Sequence, residues 1–171
     1  MTSTSAELQQ LEQLQLQISE PLSTMHRGED DLPWVDLDAT TRMKITHVNL
    51  NDGLWVVREQ IQPGTQVQTH RHTGPVIAIT LAGSWHYLES PEQINHAGSY
   101  LFEPSGSTHT LKVLDDSDGP VDVWFIMYGA NLNLDSDGKI EWVLDGPTML
   151  AVYRAMCAQQ GLPEPDVLVE Q

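Results

Sequence analysis

The sequence predicts an all-β fold, a single small antiparallel barrel or sandwich with a short lead before it and a helix after it. Between residues 42 and 143, many short strand-like segments alternate with turns rich in Gly, Pro, Asp and Ser. The chain of 171 residues is about one domain long and can bury a core by itself. We therefore expect one β domain over residues 25–171.

The lead, residues 1–24, is rich in Gln and Leu. Leu8, Leu11, Leu14 and Ile18 recur at a roughly helical spacing, which predicts a short helix or a frayed tail docked on the domain or on a second subunit. The lead has no basic start and no continuous apolar run. It is therefore predicted to be neither a signal peptide nor a membrane anchor, and we expect a cytoplasmic protein.

The β region begins with a predicted hairpin. Residues 44–50 and 54–61 are strand-like and flank Asn51-Asp52-Gly53, a turn with its glycine where a positive φ is needed. Further strands are predicted at residues 66–71, 76–81, 84–89, 99–103, 110–114, 121–128 and 140–143.

A helix is predicted over residues 147–160. Pro147 suits its first turn, and Leu150, Tyr153 and Cys157 share one face. A glycine follows as a stop signal, with prolines beyond it. This face is expected to pack on the barrel.

Charge and cysteine content exclude several classes of function. The chain has 24 acidic and 8 basic residues, a formal net charge of -16, so it would repel nucleic acids and anionic membranes. Its single cysteine allows no intrachain disulfide and no multi-cysteine zinc site. These features favour a partner that is a small molecule.

Three histidines stand at spacings that predict a mononuclear metal site. The sequence reads Gly64-x5-His70-x-His72-x10-Gly83 and then Gly98-x5-Pro104-x-Gly106-x2-His109. On a strand, His70 and His72 point to the same face, and His109 can supply a third ligand from a neighbouring strand. Imidazole suits iron, zinc, copper and nickel, so the ligand type alone does not choose the metal.

These segments resemble the two motifs of the cupin superfamily, G-x5-H-x-H-x3-4-E-x6-G and G-x5-P-x-G-x2-H-x3-N. The match covers the glycines, the proline and all three histidines. It departs at the glutamate position, which is Val76 (or Ile77), and at the final asparagine position, which is Val113. The resemblance implies a double-stranded β-helix, or jelly roll, and a metal site of three histidines without the usual carboxylate ligand.

The stretches HRHTGPVIAITLAGSWHYLE and AGSYLFEPSGSTHTL are similar to the cupin dioxygenases that cleave carbon–carbon bonds. The 2,4'-dihydroxyacetophenone dioxygenases are the nearer resemblance and the acetylacetone-cleaving dioxygenases the more distant one. The resemblance implies non-haem Fe(II) on His70, His72 and His109, with Zn, Ni or Mn as alternative metals. It also implies that O2 cleaves a hydroxyketone or diketone into products that include a carboxylic acid, a reaction of aromatic compound catabolism.

Five further residues are candidates for the site. Glu103 is the first candidate for a general base, and Glu89 is the second, or else a fourth metal ligand. For both, a solvated carboxylate at a strand end is the alternative. Trp85, Tyr87 and Tyr128 are candidates for lining a substrate pocket, with core packing as the alternative.

Two other functions remain open at this point. One is a regulatory cupin that binds a metal or a ligand, similar to the C-terminal domain of zinc-binding anti-sigma factors. Such regulators carry an N-terminal zinc-binding helical domain, whereas the lead here lacks cysteine. The other is a cupin isomerase or hydrolase that uses another metal. For every alternative we expect a homodimer or homotetramer, because a small barrel leaves open sheet edges.

Overall fold

The computed structural model describes residues 4–6, 9 and 24–171. Nearly all of the predicted N-terminal lead lies outside these residues. The part described contains fourteen strands and, between residues 24 and 171, one helix. The strands are β1 (Val35–Asp36), β2 (Thr41–Asn49), β3 (Leu54–Ile61), β4 (His70–His72), β5 (Val76–Ala82), β6 (Ser84–Tyr87), β7 (Asn95–His96), β8 (Tyr100–Glu103), β9 (Thr108–His109), β10 (Leu111–Val113), β11 (Val121–Tyr128), β12 (Ala130–Leu134), β13 (Ile140–Asp145) and β14 (Leu168–Glu170). The helix is α1 (Gly146–Gln159).

The strands form three sheets. The largest has the order β1-β2-β3-β11-β5-β8, with β14 beside β2. The other two have the orders β13-β12-β4-β9 and β10-β6-β7. Every pairing is antiparallel except that of β14 with β2. Strands distant in sequence lie side by side, as β11 does between β3 and β5, which confirms the all-β jelly-roll fold.

The alternation of side chains along the strands builds the core. On β3, Trp55, Val57 and Ile61 face inward and are buried. The hairpin that joins β2 to β3 turns at Gly53, whose φ of 65° favours glycine. Trp85 of β6 is also fully buried, so two of the large aromatic side chains fill the interior.

Helix α1 packs against β1, β2 and β13. Asp145 caps its N-terminus, because its carboxylate accepts a hydrogen bond of 2.9 Å from the backbone N–H of Thr148. Leu150, Tyr153 and Cys157 are buried, as their common face predicts. Among the described residues, no helix has the length and hydropathy required to cross a membrane.

Several strands differ from the sequence prediction. The strand predicted at residues 66–71 is reduced to His70–His72. Ala130–Leu134 was not predicted as a strand, because asparagines interrupt its apolar pattern and asparagine is depleted in strands. In the structure this strand lies directly beside β4 and therefore beside the histidines.

The outer face of the large sheet carries exposed apolar side chains near its β8 edge. Ile79 and Leu81 of β5 and Tyr100 and Phe102 of β8 are all exposed. Surfaces of this kind commonly contact other proteins. The homodimer or homotetramer remains a prediction.

Candidate metal centre

Two short strands bring the three histidines together. His70 and His72 lie on β4, and His109 lies on β9, where it pairs directly with His70. The turn before β9 is attached to β4 by two backbone hydrogen bonds. The N–H of Gly106 donates to the carbonyl of His72 at 2.8 Å, and the N–H of His72 donates to the carbonyl of Ser107 at 3.1 Å. The two predicted motifs are therefore joined at the backbone.

The imidazoles converge on one point. Each residue offers a ligand nitrogen, and these nitrogens all lie within 4.8 Å of one another. The ring centroid of His70 lies 4.8 Å from that of His72 and 4.8 Å from that of His109, and the ring centroids of His72 and His109 are 5.0 Å apart. All three side chains are buried. A buried three-histidine group of this kind could bind a metal ion.

The chemistry of the donors fits a metal. The Nδ1–H of His70 donates to the backbone carbonyl of Gln68 at 2.9 Å, which leaves the Nε2 lone pair available as a ligand. Burial lowers the pKa of His70 to about 4, so this imidazole is neutral at neutral pH, as metal ligation requires. The Nε2 atom of His109 is buried and has no hydrogen-bond partner in the described part of the chain. A bound cation would satisfy it.

Glu103 adds a carboxylate to the three histidines. Its Oε2 lies 3.0 Å from Nε2 of His72 and 3.2 Å from Nε2 of His109, although neither contact has the alignment of a hydrogen bond. Its Oε1 accepts a hydrogen bond of 2.5 Å from the hydroxyl of Tyr87. Burial alone would raise the pKa of Glu103, but the imidazoles of His109 and His72 outweigh it and hold the pKa far below its ordinary value. The group therefore carries a negative charge.

The strand register explains how Glu103 reaches the histidines. Glu103 on β8 pairs with Val76 on β5, the position at which the cupin motif has its glutamate. Directly paired residues of antiparallel strands project to the same face of a sheet. The carboxylate that β5 lacks at Val76 is thus supplied by Glu103 on the neighbouring strand β8. The site therefore carries a negative charge that three neutral histidines alone would not give it.

Glu89 lies apart from the histidine cluster. Strand β6 ends at Tyr87, and the exposed carboxylate of Glu89 accepts hydrogen bonds from the backbone N–H and the hydroxyl of Thr110, at 2.9 and 3.0 Å. Among the described residues, the three histidines group without Glu89, and no ion pair joins its carboxylate to any of them. The structure therefore does not bring Glu89 to the candidate metal position.

Of the three aromatic residues predicted to line a substrate pocket, Tyr87 lines a cavity next to the histidines, and Trp85 and Tyr128 do not line that cavity. Its ring is stacked on that of His109, with centroids 3.9 Å apart. Trp85 belongs to the core, where its Nε1–H donates to the hydroxyl of Thr80 at 2.9 Å. Tyr128 is 40% exposed, because the alternate positions of β11 are the ones that face the interior.

A cavity of about 340 Å³ opens next to the histidines. Apolar side chains provide most of the surface of its walls, and polar residues, His70 and His72 among them, provide the rest. The apolar lining residues are Leu37, Trp55, Val67, Leu111, Phe125, Met127, Trp142, Leu144 and Met149. The volume is at the lower end of the usual range for small-molecule sites.

Two asparagines that the sequence interpretation missed flank the histidines. Asn131 and Asn133 on β12 pair with His72 and His70, so an Asn-x-Asn pattern lies in register with His-x-His. Both line the cavity, and Oδ1 of Asn131 and Nδ2 of Asn133 are buried without a hydrogen-bond partner among the described residues. The alternation of asparagine and leucine in residues 130–134 was the feature of the sequence that could have predicted this strand and placed both asparagines on one face.

Glu59 is a second missed residue. It lies on β3 at the same alternation as Trp55, Val57 and Ile61 and therefore faces the interior, where it lines the cavity. Burial raises its pKa to about 7. The alternation of tryptophan, valine, glutamate and isoleucine in LWVVREQI was the signal available in the sequence.

Comparison with curated proteins gives no match. Among solved structures, the chain is similar to a cupin-like protein of unknown function from Ralstonia eutropha JMP134, with 28% identity and a TM-score of 0.73 over 86% of this chain and 96% of that chain. An RmlC-like cupin protein from the same organism has 25% identity and a TM-score of 0.80, and the match covers 89% of this chain and 98% of that chain. An acetylacetone dioxygenase from Acinetobacter johnsonii has 16% identity and a TM-score of 0.66, and the match covers 78% of this chain and 92% of that chain. This similarity is one of fold.

A protein-family model gives the more specific match. The model of the ChrR cupin-like domain matches residues 24–121, more than half of the chain. The matched region contains His70, His72, Glu103 and His109, which form the buried group described above. The chain belongs to the ChrR cupin-like domain family, within the cupin superfamily.

Proposed function

We propose that the protein is an Fe(II)-dependent dioxygenase that uses O2 to cleave a carbon–carbon bond of a hydroxyketone or diketone, giving carboxylic products. The observation that carries this proposal is the buried group of His70, His72 and His109 beside a cavity with mostly apolar walls. The three imidazoles would hold the iron. When bound, the iron would supply a Lewis acid for the substrate oxygens and a site for O2.

The residues around the histidines are suited to the other requirements of this reaction. The apolar side chains of the lining would limit the access of water to the reacting atoms. The carboxylate of Glu103 lies beside two of the imidazoles and can accept a proton from a substrate hydroxyl placed next to them. Tyr87 fixes that carboxylate through the hydrogen bond to its Oε1, so that Oε2 is the atom free to act.

The size of the cavity favours a small ketone over a polymeric substrate. A cavity of about 340 Å³ encloses a molecule with about one aromatic ring. A 2,4'-dihydroxyacetophenone-like hydroxyketone is of this size, and it pairs two neighbouring oxygens with a ring that apolar walls can cover. The similarity of fold to an acetylacetone dioxygenase is consistent with a ketone substrate.

O2 consumption by the iron-loaded protein tests the proposal. The protein would be stripped of metal, reloaded with Fe(II) under anaerobic conditions and given 2,4'-dihydroxyacetophenone and a panel of related hydroxyketones and diketones. We expect uptake that requires both iron and one class of ketone and that His109→Ala abolishes. His26→Ala is the matched control, because His26 is an exposed histidine that lies outside the cluster.

Two results would contradict the dioxygenase. One is an absence of ketone-dependent uptake despite one iron per chain. The other is uptake that His109→Ala leaves unchanged. Either result would have to be obtained with protein whose circular dichroism matches that of the wild type.

A metal-binding regulatory domain is the second candidate, and the description of the matching family as the ChrR cupin-like domain is the observation that favours it. A regulator would bind one metal ion at the same histidines and would not consume O2 with any ketone. Metal content and O2 uptake measured on the same sample therefore separate the two functions.

A further inference from the structure

Glu59 lines the same cavity as the histidines but comes from a different sheet. It lies on β3 of the seven-stranded sheet, where it pairs with Met43 on one side and Val123 on the other. Both neighbours are buried. The histidines at positions 70 and 72 belong to the four-stranded sheet, and Glu59 is not among the grouped metal-ligating residues. Its carboxyl group therefore enters the cavity from a different sheet from the one that carries the histidines.

The protein provides no partner for this carboxyl group among the residues described. Glu59 makes no hydrogen bond or ion pair with any of them, and the next residue, Arg58, faces the opposite side of the sheet. Arg58 is already bonded to Asp122 and Glu29, and Lys44 is also bonded to Glu29. An unpaired carboxyl group in an apolar interior is costly, so proteins retain one where it meets a ligand or water.

We propose that Glu59 binds a hydroxyl group of the substrate where β3 lines the cavity. The hydroxyl would donate its hydrogen bond to a carboxyl oxygen of Glu59, while the ketone oxygens of the same ligand would lie against the histidines that line the cavity. This inference rests on the proposed function, since it takes the cavity to be the substrate site.

The surroundings of Glu59 define the class of ligand further. Trp55 and Phe125 line the cavity with it and suit the faces of an aromatic ring. An anionic group on the same part of the ligand would meet the carboxyl group of Glu59, and the described lining of the cavity contains no lysine or arginine to offset its charge. The preferred ligand is therefore a neutral aromatic ketone that carries a ring hydroxyl. The raised pKa of Glu59, about 7, agrees with the absence of a cationic partner.

Equilibrium binding to the zinc-loaded protein tests this assignment without turnover. Calorimetry would compare 2,4'-dihydroxyacetophenone with 2-hydroxyacetophenone, which lacks only the ring hydroxyl. We expect the wild type to prefer the ring-hydroxylated ketone by about tenfold or more, since a hydrogen bond to a charged group contributes about 1.5–3 kcal/mol. Glu59→Leu should bring the two dissociation constants to within about twofold of each other.

A second variant and a control complete the experiment. Glu59→Gln keeps an oxygen acceptor without the charge and should lower the preference by about threefold. Glu92→Gln removes a carboxylate from an exposed turn and should keep the preference of the wild type. The assignment is overturned if the wild type shows no preference, or fails to bind the ring-hydroxylated ketone. It is also overturned if a folded Glu59→Leu or Glu59→Gln variant keeps the full preference.

The result is separable from that of the O2 experiment. If the protein is not a dioxygenase, iron-loaded protein consumes no O2, whereas the dependence of binding on Glu59 persists. If Glu59 does not bind the hydroxyl, the preference is the same in all variants, whereas O2 uptake persists.

Discussion

Two inward-facing carboxyl groups, the buried Glu103 and the half-buried Glu59, share one barrel and differ in nearly every other respect. Glu103 lies beside two imidazoles and accepts a hydrogen bond from Tyr87. Its pKa is held far below the ordinary value. Glu59 has no hydrogen-bonding or ionic partner in the residues described, and burial raises its pKa to about 7. The same chemical group thus favours opposite charge states in one interior.

The contrast separates two uses of a buried acid. A carboxylate held by imidazoles and a phenol is part of the protein's own network, and its removal leaves those partners unsatisfied. A carboxyl group without a partner destabilises the protein until something binds to it. Removing the first should therefore weaken the fold, whereas neutralising the second should strengthen it.

The largest effect is expected for Glu103→Ala. The substitution leaves Tyr87 without its acceptor and the imidazoles of His72 and His109 without a neighbouring charge. We expect the free energy of unfolding to fall by about 3 kcal/mol. Urea unfolding in the presence of a chelator measures it without a contribution from metal. A loss below about 1 kcal/mol would mean that Glu103 is not a member of a buried network.

Glu59→Gln should have the opposite sign and a marked pH dependence. Because the folded protein raises the pKa of Glu59 from 4.5 to about 7, its ionisation costs stability as pH rises from 4.5 to 7. Glutamine avoids this cost, so the variant should gain up to about 3 kcal/mol over the wild type at pH 8.

Below pH 4.5 the advantage of Glu59→Gln should disappear, because the wild-type side chain is then neutral in both the folded and the unfolded protein. Urea unfolding of both proteins across this pH range measures the difference. A constant difference at all pH values would show that the pKa of Glu59 is the same in the folded and the unfolded protein.

Tyr87→Phe should have a smaller effect than either. It removes the hydroxyl that donates to Glu103 and keeps the ring that is stacked on His109. We expect a loss of about 1–2 kcal/mol in the free energy of unfolding and a fall in metal affinity of up to about tenfold. Trp85→Phe offers a comparison in the core, where metal affinity should be unchanged.

Glu89→Gln is expected to have the smallest effect. Its exposed carboxylate bonds only to Thr110 among the described residues. The stability should fall by less than about 1 kcal/mol, and the metal affinity should stay within twofold of the wild type. A loss of metal in this variant would restore Glu89 as a ligand.

The sequence predicted the histidine group because the motif has fixed spacing and because side chains alternate on a strand. The positions of His70 and His72 follow from that alternation alone. The approach of Glu103 does not, since it depends on the register of β8 against β5. Between β5 and β8 the chain forms β6 and β7, and the register between strands that are not consecutive is set by packing of the whole sheet, which one sequence does not reveal.

The sequence was also insufficient to predict which side chains point into the barrel and which point to its outside. Tyr87 and Tyr128 are both aromatic residues at strand ends, yet one lines the cavity and the other lies outside. The alternation on β3 places Glu59 on the same face as Trp55, Val57 and Ile61. The sequence alone does not show that this face is the buried one, so it does not show that Glu59 faces inward. Asn131 and Asn133 were missed because their strand was not predicted.

The most direct test of the account is the iron content of the wild type, His109→Ala and His26→Ala after anaerobic loading with Fe(II) and removal of free metal. The three-histidine site predicts about one iron per chain in the wild type and in His26→Ala, and less than about a tenth of that in His109→Ala. Full iron retention by a folded His109→Ala variant would contradict it.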